Sequence, residues 1–286
     1  MALGMFDGVH RGHALLVKTA FQMAQQLNMN TAAFTFADHP QEFLGDRKVG
    51  LICTFEERRK LLQAAGADVV VVENFADIRD FSPQQFVEFL VKKYHVGGLV
   101  CGKDFRFAKD GAGDSETLKT LCKLRGLKFK EVEFVLDGAG EKISSRHIRE
   151  MLEKAQMQQV SRALGRPFSF EGKVFHGKGL ARKWQTPTIN QVLPAELTAV
   201  ARGVYQSRVY VDGKAYNAIT NIGKRPTFDD GDFINAETHI LEETFSDIER
   251  ARVELLHFIR PEKKFENEQD LLRQIKKDIE TVKEMR

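Results

Sequence analysis

Cysteines, long apolar runs and charge of one sign are all scarce in this chain, and each scarcity excludes a class of protein. The three cysteines, at positions 53, 101 and 122, are odd in number, widely spaced and without a CxxC pair. They predict reduced thiols rather than a disulfide framework. The longest aliphatic run, Val69 to Val72, is far too short to span a bilayer, and no charged and then apolar leader opens the sequence. We therefore expect a soluble, cytoplasmic protein that has no membrane partner.

The charge of the chain is nearly balanced, because it has 43 lysines and arginines and 40 aspartates and glutamates, which gives a net charge of +3. Without a basic excess we expect no nucleic-acid partner. Charged residues still make up 29% of the chain, and we interpret the local surplus of lysine and arginine as a feature that binds phosphorylated small molecules. A chain of 286 residues allows two domains with an ample core.

Strand-like and helical patterns alternate in the first half of the chain. The strand-like runs are 31–37, 68–73, 98–102 and 128–134, and the helical runs between them are 55–65, 83–94 and 115–125. This alternation predicts an α/β domain with a parallel sheet covered by helices. In such sheets ligands bind at the carboxyl ends of strands, where we expect Asp7, His10, Asp104 and Ser144 to meet.

The pattern changes near residue 165, where a helical segment ends in a glycine that is soon followed by Pro167. We place a boundary there, with domains at 1–164 and 165–286. Downstream, turn signals separate strand-like runs at 168–176, 204–211, 215–222, 235–241 and 252–258. These runs predict a small antiparallel β-barrel. The tail, 268–285, predicts a charged helix whose apolar side packs against that barrel.

The segment from Gly4 to His13 reads GMFDGVHRGH and places two histidines in a glycine-rich turn before a helical pattern. A helix start offers backbone N–H groups without internal partners and the positive end of the helix dipole, so it suits an anion such as a nucleotide phosphate. Gly8 and Gly12 permit close approach of the backbone to a ligand. Two other interpretations stay open: His10 and His13 are solvated or capping residues of a first helical turn, or they belong to a zinc site.

The same ten residues match, one for one, the nucleotidyltransferase signature GxFDGxHxGH, and the chain thereby resembles the bacterial riboflavin kinase/FAD synthetases. Three further segments of the first half are similar to the family. Residues 36–40 resemble its FxPHP stretch with Asp38 for a proline, residues 100–107 its strand-end loop with Ala108 for the next glycine, and residues 143–149 its (I/V)SSTxIR segment with Arg146 for Ser or Thr. The resemblance implies a Rossmann-like nucleotidyltransferase domain followed by a flavokinase β-barrel with a terminal helix.

In the first domain the resemblance implies a site for FMN adenylylation. His10 and His13 would stabilise the departing pyrophosphate, while Asp7 helps to arrange the triphosphate or its metal. The residues implied in ATP or phosphate binding are Gly4, Phe6, Gly12, Ser144, Ser145 and Arg149. The residues implied in flavin binding are Asp104, Phe105 and Phe107. Without the resemblance, the segment from Ser144 to Arg149 is either an oxyanion trap at a helix start or an ordinary serine N-cap beside surface arginines.

In the second half the resemblance implies a riboflavin kinase site. Residues 187–190 read PTIN and match the family's PTxN motif, in which Thr188 and Asn190 help hold Mg²⁺ and the ATP phosphates. Residues 221–228 match its NIGxRPTF string, and Glu237 in the following E-x-H-I strand would be the general base. The phosphate loop implies Gly177, Gly179 and Arg182 as phosphate-binding residues, with Ala181 and Gln185 in place of two of the family's glycines. Without the resemblance, Glu237 would be interpreted as a strand glutamate facing solvent, and PTIN as a common turn.

The resulting hypothesis is an enzyme of flavin-nucleotide synthesis with ATP as co-substrate and Mg²⁺ as cofactor. The second domain would phosphorylate riboflavin to FMN, and the first would adenylylate FMN to FAD with release of pyrophosphate. Three alternatives stay open. They are a monofunctional FMN adenylyltransferase with an impaired kinase half, a catalytically silent flavin-binding regulatory protein, and a nucleotidyltransferase that acts on a different phosphate.

Overall fold

The computed structural model describes residues 1–37, 39–40, 49–175, 188–225, 233–241, 245 and 248–285. The chain divides into two compact units, Met1–Ser145 and Arg146–Arg286. Among the described residues, the first unit contains a five-stranded sheet and the second a six-stranded sheet. Each unit therefore has a sheet and a core of its own.

The sheet of the first unit is parallel throughout. Its described strands are β1 (Ala2–Leu3), β2 (Ala32–Phe36), β3 (Val69–Glu73), β4 (Gly98–Gly102) and β5 (Lys128–Val132). Their order in the sheet is β3-β2-β1-β4-β5, and each neighbouring pair is parallel. Since the strand order reverses at β1, the carboxyl ends of β1 and β4 flank the crevice where sheets of this kind bind ligands.

Helices cover both faces of this sheet, as the alternating pattern predicts. They are α1 (Arg11–Leu27), α2 (Phe55–Ala64), α3 (Phe75–Ile78), α4 (Pro83–Tyr94) and α5 (Ser115–Leu124). Successive residues of β1 belong to two different cores, because strand side chains alternate between faces. Ala2 packs with Val17 of α1 and Leu62 of α2, whereas Leu3 packs with Phe86 of α4. The central strands are thus buried on both sides.

Local sequence determines where these helices begin. Thr54 caps α2 by accepting a hydrogen bond from the backbone N–H of Glu57. Ser82 and Gln85 form a reciprocal capping box at the start of α4, with Pro83 in the first helical position. Caps of this kind stabilise a helix start by about 1 kcal/mol. The predicted helix starts at 55, 83 and 115 are all confirmed.

The sheet of the second unit is antiparallel. Its described strands are β6 (Phe168–Lys173), β7 (Thr188–Val192), β8 (Gly203–Val211), β9 (Lys214–Arg225), β10 (Phe233–Ile240) and β11 (Arg250–Pro261), in the sheet order β6-β11-β8-β9-β10-β7. The two edge strands of this order approach each other. Phe175 forms a bridge with Asn190, and the buried amide of Gln191 donates to the carbonyls of Gly172 (3.0 Å) and Ala251 (2.8 Å). The sheet therefore curls toward the predicted barrel.

Three further helices accompany this sheet: α6 (Ser145–Glu153), α7 (Met157–Leu164) and α8 (Glu268–Glu284). The predicted packing of the tail helix is confirmed, since Val282 of α8 lies in one cluster with Val204 and Ile219. An ion pair between Arg260 and the buried Asp278, with an Nη2–Oδ2 distance of 2.7 Å, also joins α8 to β11. Its bidentate geometry adds directional contacts to the apolar ones.

The helices α6 and α7 group with the second unit, although the predicted boundary at residue 164 places them in the first. Helix α7 packs against β6 and β11, and the side chain of Gln158 lies 2.9 Å from the ring nitrogen of His257. The backbone N–H of Ala201 donates to the carbonyl of Leu152 at the end of α6 (3.1 Å). The apolar faces of both helices are buried, and no local pattern reveals to which unit each helix belongs. The boundary at residue 164 between an adenylyltransferase domain and a kinase domain stays a prediction.

The remaining sequence expectations differ in outcome. The predicted strands agree with the structure to within a few residues, but β7 and the short α3 were not predicted. The sequence of β7, TINQV, is polar and lacks a clear alternation of apolar residues, so its pairing decides its conformation. Cys53, Cys101 and Cys122 are buried and not disulfide-bonded. Of the described helices, none is long and apolar enough to cross a membrane.

Candidate functional site

The segment Gly4–His13 forms a tight turn between β1 and α1. Three residues of this turn have positive φ angles: Phe6 (φ 55°), Gly8 (φ 75°) and Val9 (φ 39°). A Cβ atom on Gly8 would lie only 2.8 Å from the side chain of Ile52. A β-branched residue in this region is unfavourable, so the surrounding structure holds the turn in a strained conformation. Strain of this kind is commonly found at functional sites.

His10 ends the turn and caps α1. Its Nδ1 atom accepts a hydrogen bond from the backbone N–H of His13 (3.3 Å). The two imidazole rings are stacked, with centroids 3.6 Å apart and planes 18° from parallel. A Cβ atom on Gly12 would lie 3.1 Å from the ring of His10, so a larger residue there would crowd the stack. The capping interpretation is therefore confirmed for His10, and the pair occupies the start of a helix, where the dipole favours an anion.

The ring of His13 is in an unusual electrostatic environment. Burial is the main cause that lowers the pKa of His13 well below its ordinary range, and the nearby His10 and Arg58 lower it further. Among the described residues, its buried Nδ1 atom has no hydrogen-bond partner. Phe6 packs edge-on against the ring, with centroids 5.3 Å apart. The lowered pKa favours the neutral imidazole, which can donate one ring N–H.

Asp7 lies behind the turn and holds it in place. Its side chain is buried, and Oδ1 accepts a hydrogen bond from the backbone N–H of Ile52 (2.9 Å). Its backbone carbonyl accepts a second hydrogen bond from the hydroxyl of Ser145 (2.9 Å). Asp7 therefore connects the turn to two distant segments of the first unit.

A cavity of about 910 Å³ opens beside the turn, within the first unit. Its walls bring together nine of the residues that the sequence predicts for this site. They are Gly4, His10, Gly12, His13, Asp104, Phe105, Phe107, Ser144 and Ser145. Of the described residues, those that line the cavity do not include Asp7 or Phe6, whose side chains are both buried behind it. His10, Asp104 and Ser144 thus meet at one cavity as predicted, whereas Asp7 and Phe6 do not line it.

The aromatic wall of the cavity was not predicted in full. Phe105 and Phe107 stack with centroids 5.7 Å apart. The sequence reasoning did not identify five further phenylalanines that line the same cavity: Phe34, Phe36, Phe75, Phe86 and Phe134. The one available signal was the composition, because the chain has 22 phenylalanines but only four tyrosines. A wall of flat rings suits a planar aromatic ligand.

Lys142 is a second cavity residue that the sequence reasoning did not identify. It forms an ion pair with Asp104, and its ammonium group lies 4.2 Å from the centre of the Phe134 ring. The nearby Ala108 has φ 67° and ψ −178°, a conformation that glycine adopts far more readily than alanine. The family that the sequence resembles has glycine at this position, and alanine in this conformation is strained.

The candidate kinase residues of the second unit lie on two paired strands. Asn190 of β7 is directly opposite Glu237 of β10, and Thr188 is opposite His239. Asn190 is buried, whereas Glu237 is exposed. Residues that face each other in this way have Cβ atoms about 5 Å apart. The register thus brings the predicted metal-binding oxygens and the predicted general base to the same face of the sheet.

Asn235 links these residues and was not identified from the sequence. Its side chain is 5% exposed, and its amide group donates to Asn190 Oδ1 (3.5 Å) and to Glu237 Oε1 (3.3 Å). Among the described residues, its own Oδ1 has no hydrogen-bond partner. A signal was present in the spacing, since residues two apart on a strand share a face. Which strand would pair with that face was not readable from the sequence.

Several residues predicted for the two sites are not found with the residues described above. Gly177, Gly179 and Arg182 of the predicted phosphate loop lie outside the described residues, as do Ala181 and Gln185. Arg149 lies on α6, in the second unit, and its role in binding phosphate stays a prediction. The zinc interpretation of the histidines gains no support, because the described residues contain no cluster of three or more His, Cys, Asp and Glu that could hold a metal ion.

Family models match both halves of the chain. The model of FAD synthetase matches residues 1–147, and the model of riboflavin kinase matches residues 164–286. Two relatives are named bifunctional riboflavin kinase/FMN adenylyltransferase. The one from Listeria monocytogenes is 32% identical over 97% of this chain and 89% of its own length. The one from Haemophilus influenzae is 34% identical over 99% of this chain and 92% of its own length.

The whole chain also resembles a solved structure. It is a crystal structure from Streptococcus pneumoniae that is described as a macrolide-efflux protein. It superposes with a TM-score of 0.89 at 29% sequence identity and covers 99% of this chain and 93% of its own. The order of the two units is thus the same as in a solved protein of nearly equal length.

Proposed function

Since the chain belongs to the FAD synthetase family over residues 1–147 and to the riboflavin kinase family over residues 164–286, we propose that it makes FAD from riboflavin in two ATP-dependent steps. The second unit transfers the γ-phosphoryl group of ATP to riboflavin and forms FMN. The first unit transfers the adenylyl group of another ATP to FMN and forms FAD and pyrophosphate. The observation that carries this proposal is the cavity that brings His10, His13 and Phe105 together.

In the adenylyl transfer, a phosphate oxygen of FMN attacks the α-phosphorus of ATP. One P–O bond forms there while the bond from the α-phosphorus to the bridging oxygen breaks, and pyrophosphate leaves with the electron pair. This reaction needs no protein nucleophile, because positioning and stabilisation of charge are sufficient for phosphoryl-type chemistry. The start of α1 lies beside the cavity, so we assign the departing pyrophosphate to that helix end.

We assign hydrogen-bond donation to His13 in this step. Its lowered pKa makes the ring neutral near pH 7, so it offers an N–H to a pyrophosphate oxygen and adds no charge of its own. His10 holds the backbone N–H of His13, which orients the first turn of the helix. Ser144, Ser145 and Arg149 are assigned to the β and γ groups of ATP. Preorganised donors of this kind contribute about 3–4 kcal/mol each to a transition state.

The flavin ring of FMN is assigned to the aromatic part of the cavity. Phe105 and Phe107 present stacked rings, and a volume of about 910 Å³ lies within the range of ligand sites in proteins. Asp104 and Lys142 are two of the charged residues that line the same cavity. Apolar walls give affinity, and polar groups placed among them fix the orientation of the ligand.

In the kinase reaction, Glu237 is assigned as the general base. Its carboxylate accepts the proton from the 5′-hydroxyl of riboflavin as that oxygen attacks the γ-phosphorus of ATP, and ADP leaves. The hydroxyl of Thr188 and the amide oxygen of Asn190 are the hard oxygen donors that Mg²⁺ requires, so these residues fit the ion and would hold it beside the phosphates. When bound, Mg²⁺ would neutralise charge on the phosphate oxygens. Because ATP and flavins are cytoplasmic substrates in this scheme, we also propose that the protein acts in the cytoplasm.

A product assay with two substrates tests the proposal. The full chain is supplied with Mg²⁺ and ATP and either riboflavin or FMN, and the flavins are separated by chromatography. We expect FMN and FAD from riboflavin, and FAD from FMN, with loss of both reactions when EDTA removes Mg²⁺. Product from FMN alone would remove the kinase from the proposal. Flavin binding without any consumption of ATP would instead favour a regulatory protein.

A further inference from the structure

Arg58 is a buried cation next to the first candidate site that the proposed chemistry does not use. It lies on α2 and is 1% exposed. Removing a guanidinium from water is unfavourable, and an apolar residue at such a position often gives equal or greater stability. An arginine in this place therefore indicates a task that depends on its donors or its charge.

The guanidinium of Arg58 joins the phosphate-binding turn to the end of β2. Nη1 donates to the carbonyl of Met5 (3.1 Å), and Nη2 donates to the carbonyls of Phe36 (3.0 Å) and Ala37 (3.2 Å). The hydroxyl of Thr35 donates to the same Met5 carbonyl (2.8 Å). The peptide of Met5 is therefore held by two donors from different elements, directly before the left-handed residue Phe6.

The position of Arg58 also suits a site for anions. Its charge acts on the ring of His13, where it helps to keep the pKa low, after the larger effects of burial and of His10. A fixed positive charge behind the turn favours negative ligands in front of it. The planar fork of arginine can satisfy carbonyls on two elements at once, which the single ammonium of lysine cannot do in the same geometry.

We infer that Arg58 is a positioning residue for adenylyl transfer, because it ties Met5 to the end of β2 and so fixes the turn that presents His10 and His13 to the nucleotide. The inference rests on the proposed FMN adenylyl transfer at this site. Arg58 itself does not line the cavity among the described residues. Its effect is therefore expected in the rate of the chemical step and not in the binding of the flavin.

The test compares Arg58→Lys and Arg58→Met with Arg59→Lys. Arg59 is the matched control, since its side chain is 46% exposed and pairs with Glu56 at 2.9 Å. The full chain is assayed at a temperature well below the melting transition of each variant. The measurements are kcat for FMN adenylylation, the dissociation constant of FMN from flavin fluorescence, and the rate of riboflavin phosphorylation in the same sample. The lysine variant keeps the charge and answers the question even if the methionine variant does not fold.

For Arg58→Lys we expect kcat of adenylylation to fall by about 10- to 100-fold, the loss typical of a misplaced catalytic group. FMN affinity should stay within about twofold, because the aromatic wall is untouched, a pattern that marks an interaction used only in the transition state. The rate of riboflavin phosphorylation by Arg58→Lys should be unchanged. Both reactions of the control variant Arg59→Lys should also be unchanged. A kcat within about twofold of the unsubstituted enzyme, or an equal loss of FMN affinity, would overturn this inference alone. Failure of the unsubstituted enzyme to adenylylate FMN would overturn the proposed function and this inference with it.

Discussion

The two candidate sites differ in how they are assembled from the chain. In the first unit, His10 and His13 lie in one helical turn, and their stacking follows from a short segment of sequence. In the second unit, Asn190 and Asn235 are 45 residues apart and meet only through the register of β7 with β10. A local motif specifies geometry by backbone conformation, whereas a site on paired strands depends on long-range pairing.

The sites also differ in exposure. The first is a cavity of about 910 Å³ with aromatic walls, so its groups act in surroundings from which much water is excluded. In the second site the side chain of Glu237 is exposed, although it shares a face with the buried Asn190 and Asn235. Electrostatic effects on a partly buried group such as His13 are larger than those on an exposed carboxylate. Because the two proposed reactions are assigned to different units, we expect a substitution in one unit to affect only the reaction of that unit.

The largest expected effect comes from Glu237→Gln. This change removes the proposed general base but keeps the size and hydrogen-bonding shape of the side chain. Riboflavin phosphorylation should fall by about 10²- to 10⁴-fold, the usual contribution of general base catalysis. Adenylylation of added FMN, measured in the same preparation, is the control and should be unchanged. Retention of riboflavin phosphorylation would show that Glu237 is only a solvent-facing strand residue.

His13→Ala tests the candidate site of the first unit. FAD formation from FMN should fall by about 10²- to 10³-fold, because one preorganised donor to the leaving pyrophosphate is lost. Riboflavin phosphorylation in the same sample should persist, which chromatography of the products will show as accumulation of FMN. Normal FAD formation by this variant would refute the role assigned to His13. A loss of both reactions would mean that the two sites are not separable in the way that the comparison requires.

Asn235→Ala should have a smaller effect on the second site. The change removes the amide that donates to Asn190 and Glu237, while both of these residues remain. A hydrogen bond to a charged group is worth about 1.5 kcal/mol or more, so we expect kcat of riboflavin phosphorylation to fall by about tenfold. FMN adenylylation serves as the internal control. An unchanged kinase rate would show that the register of β7 and β10 is sufficient to position Glu237.

Ala108→Gly should have the smallest effect, and its effect should be on stability. Relief of a left-handed backbone at φ 67° removes strain of about 1–3 kcal/mol, and the greater freedom of glycine in the unfolded chain offsets about 0.5–1 kcal/mol of it. We expect a net gain of about 1 kcal/mol and a rise in Tm of about 3 °C for a domain of this size. Calorimetry can measure this shift. Ala112→Gly is the control, because Ala112 has an ordinary φ of −61° and should lose stability with the same change.

Much of the first site could be predicted because its signals are local. The helix start at the end of the turn, the end of β4 before Asp104 and the serines at 144 and 145 each follow from a short pattern. The rule for parallel sheets then brings them to one edge. The rear of the site could not be predicted in the same way. Arg58 looks like one of several charged residues of α2, and only the packing shows that it is buried against three carbonyls.

The second site was less predictable for a physical reason. The strand β7 has no clear apolar alternation, so its conformation follows from pairing with β10. The role of Asn235 depends on that pairing, since a shift of one residue would turn its side chain to the other face. The same holds for α7, whose apolar face is as compatible with one unit as with the other until its contacts with β6 and β11 are known.

By itself, the sequence determined most of the strands and helices, the glycine-rich turn from Gly4 to His13, and the family to which both halves belong. These properties follow from dihedral preferences, caps and side-chain spacing, which act over a few residues. Only the tertiary structure decided that Asp7 and Phe6 support the cavity from behind, that His13 is neutral, and that Asn190, Asn235 and Glu237 meet. Burial and electrostatic surroundings are properties of the assembled molecule, because distant segments supply the atoms that exclude water from each group.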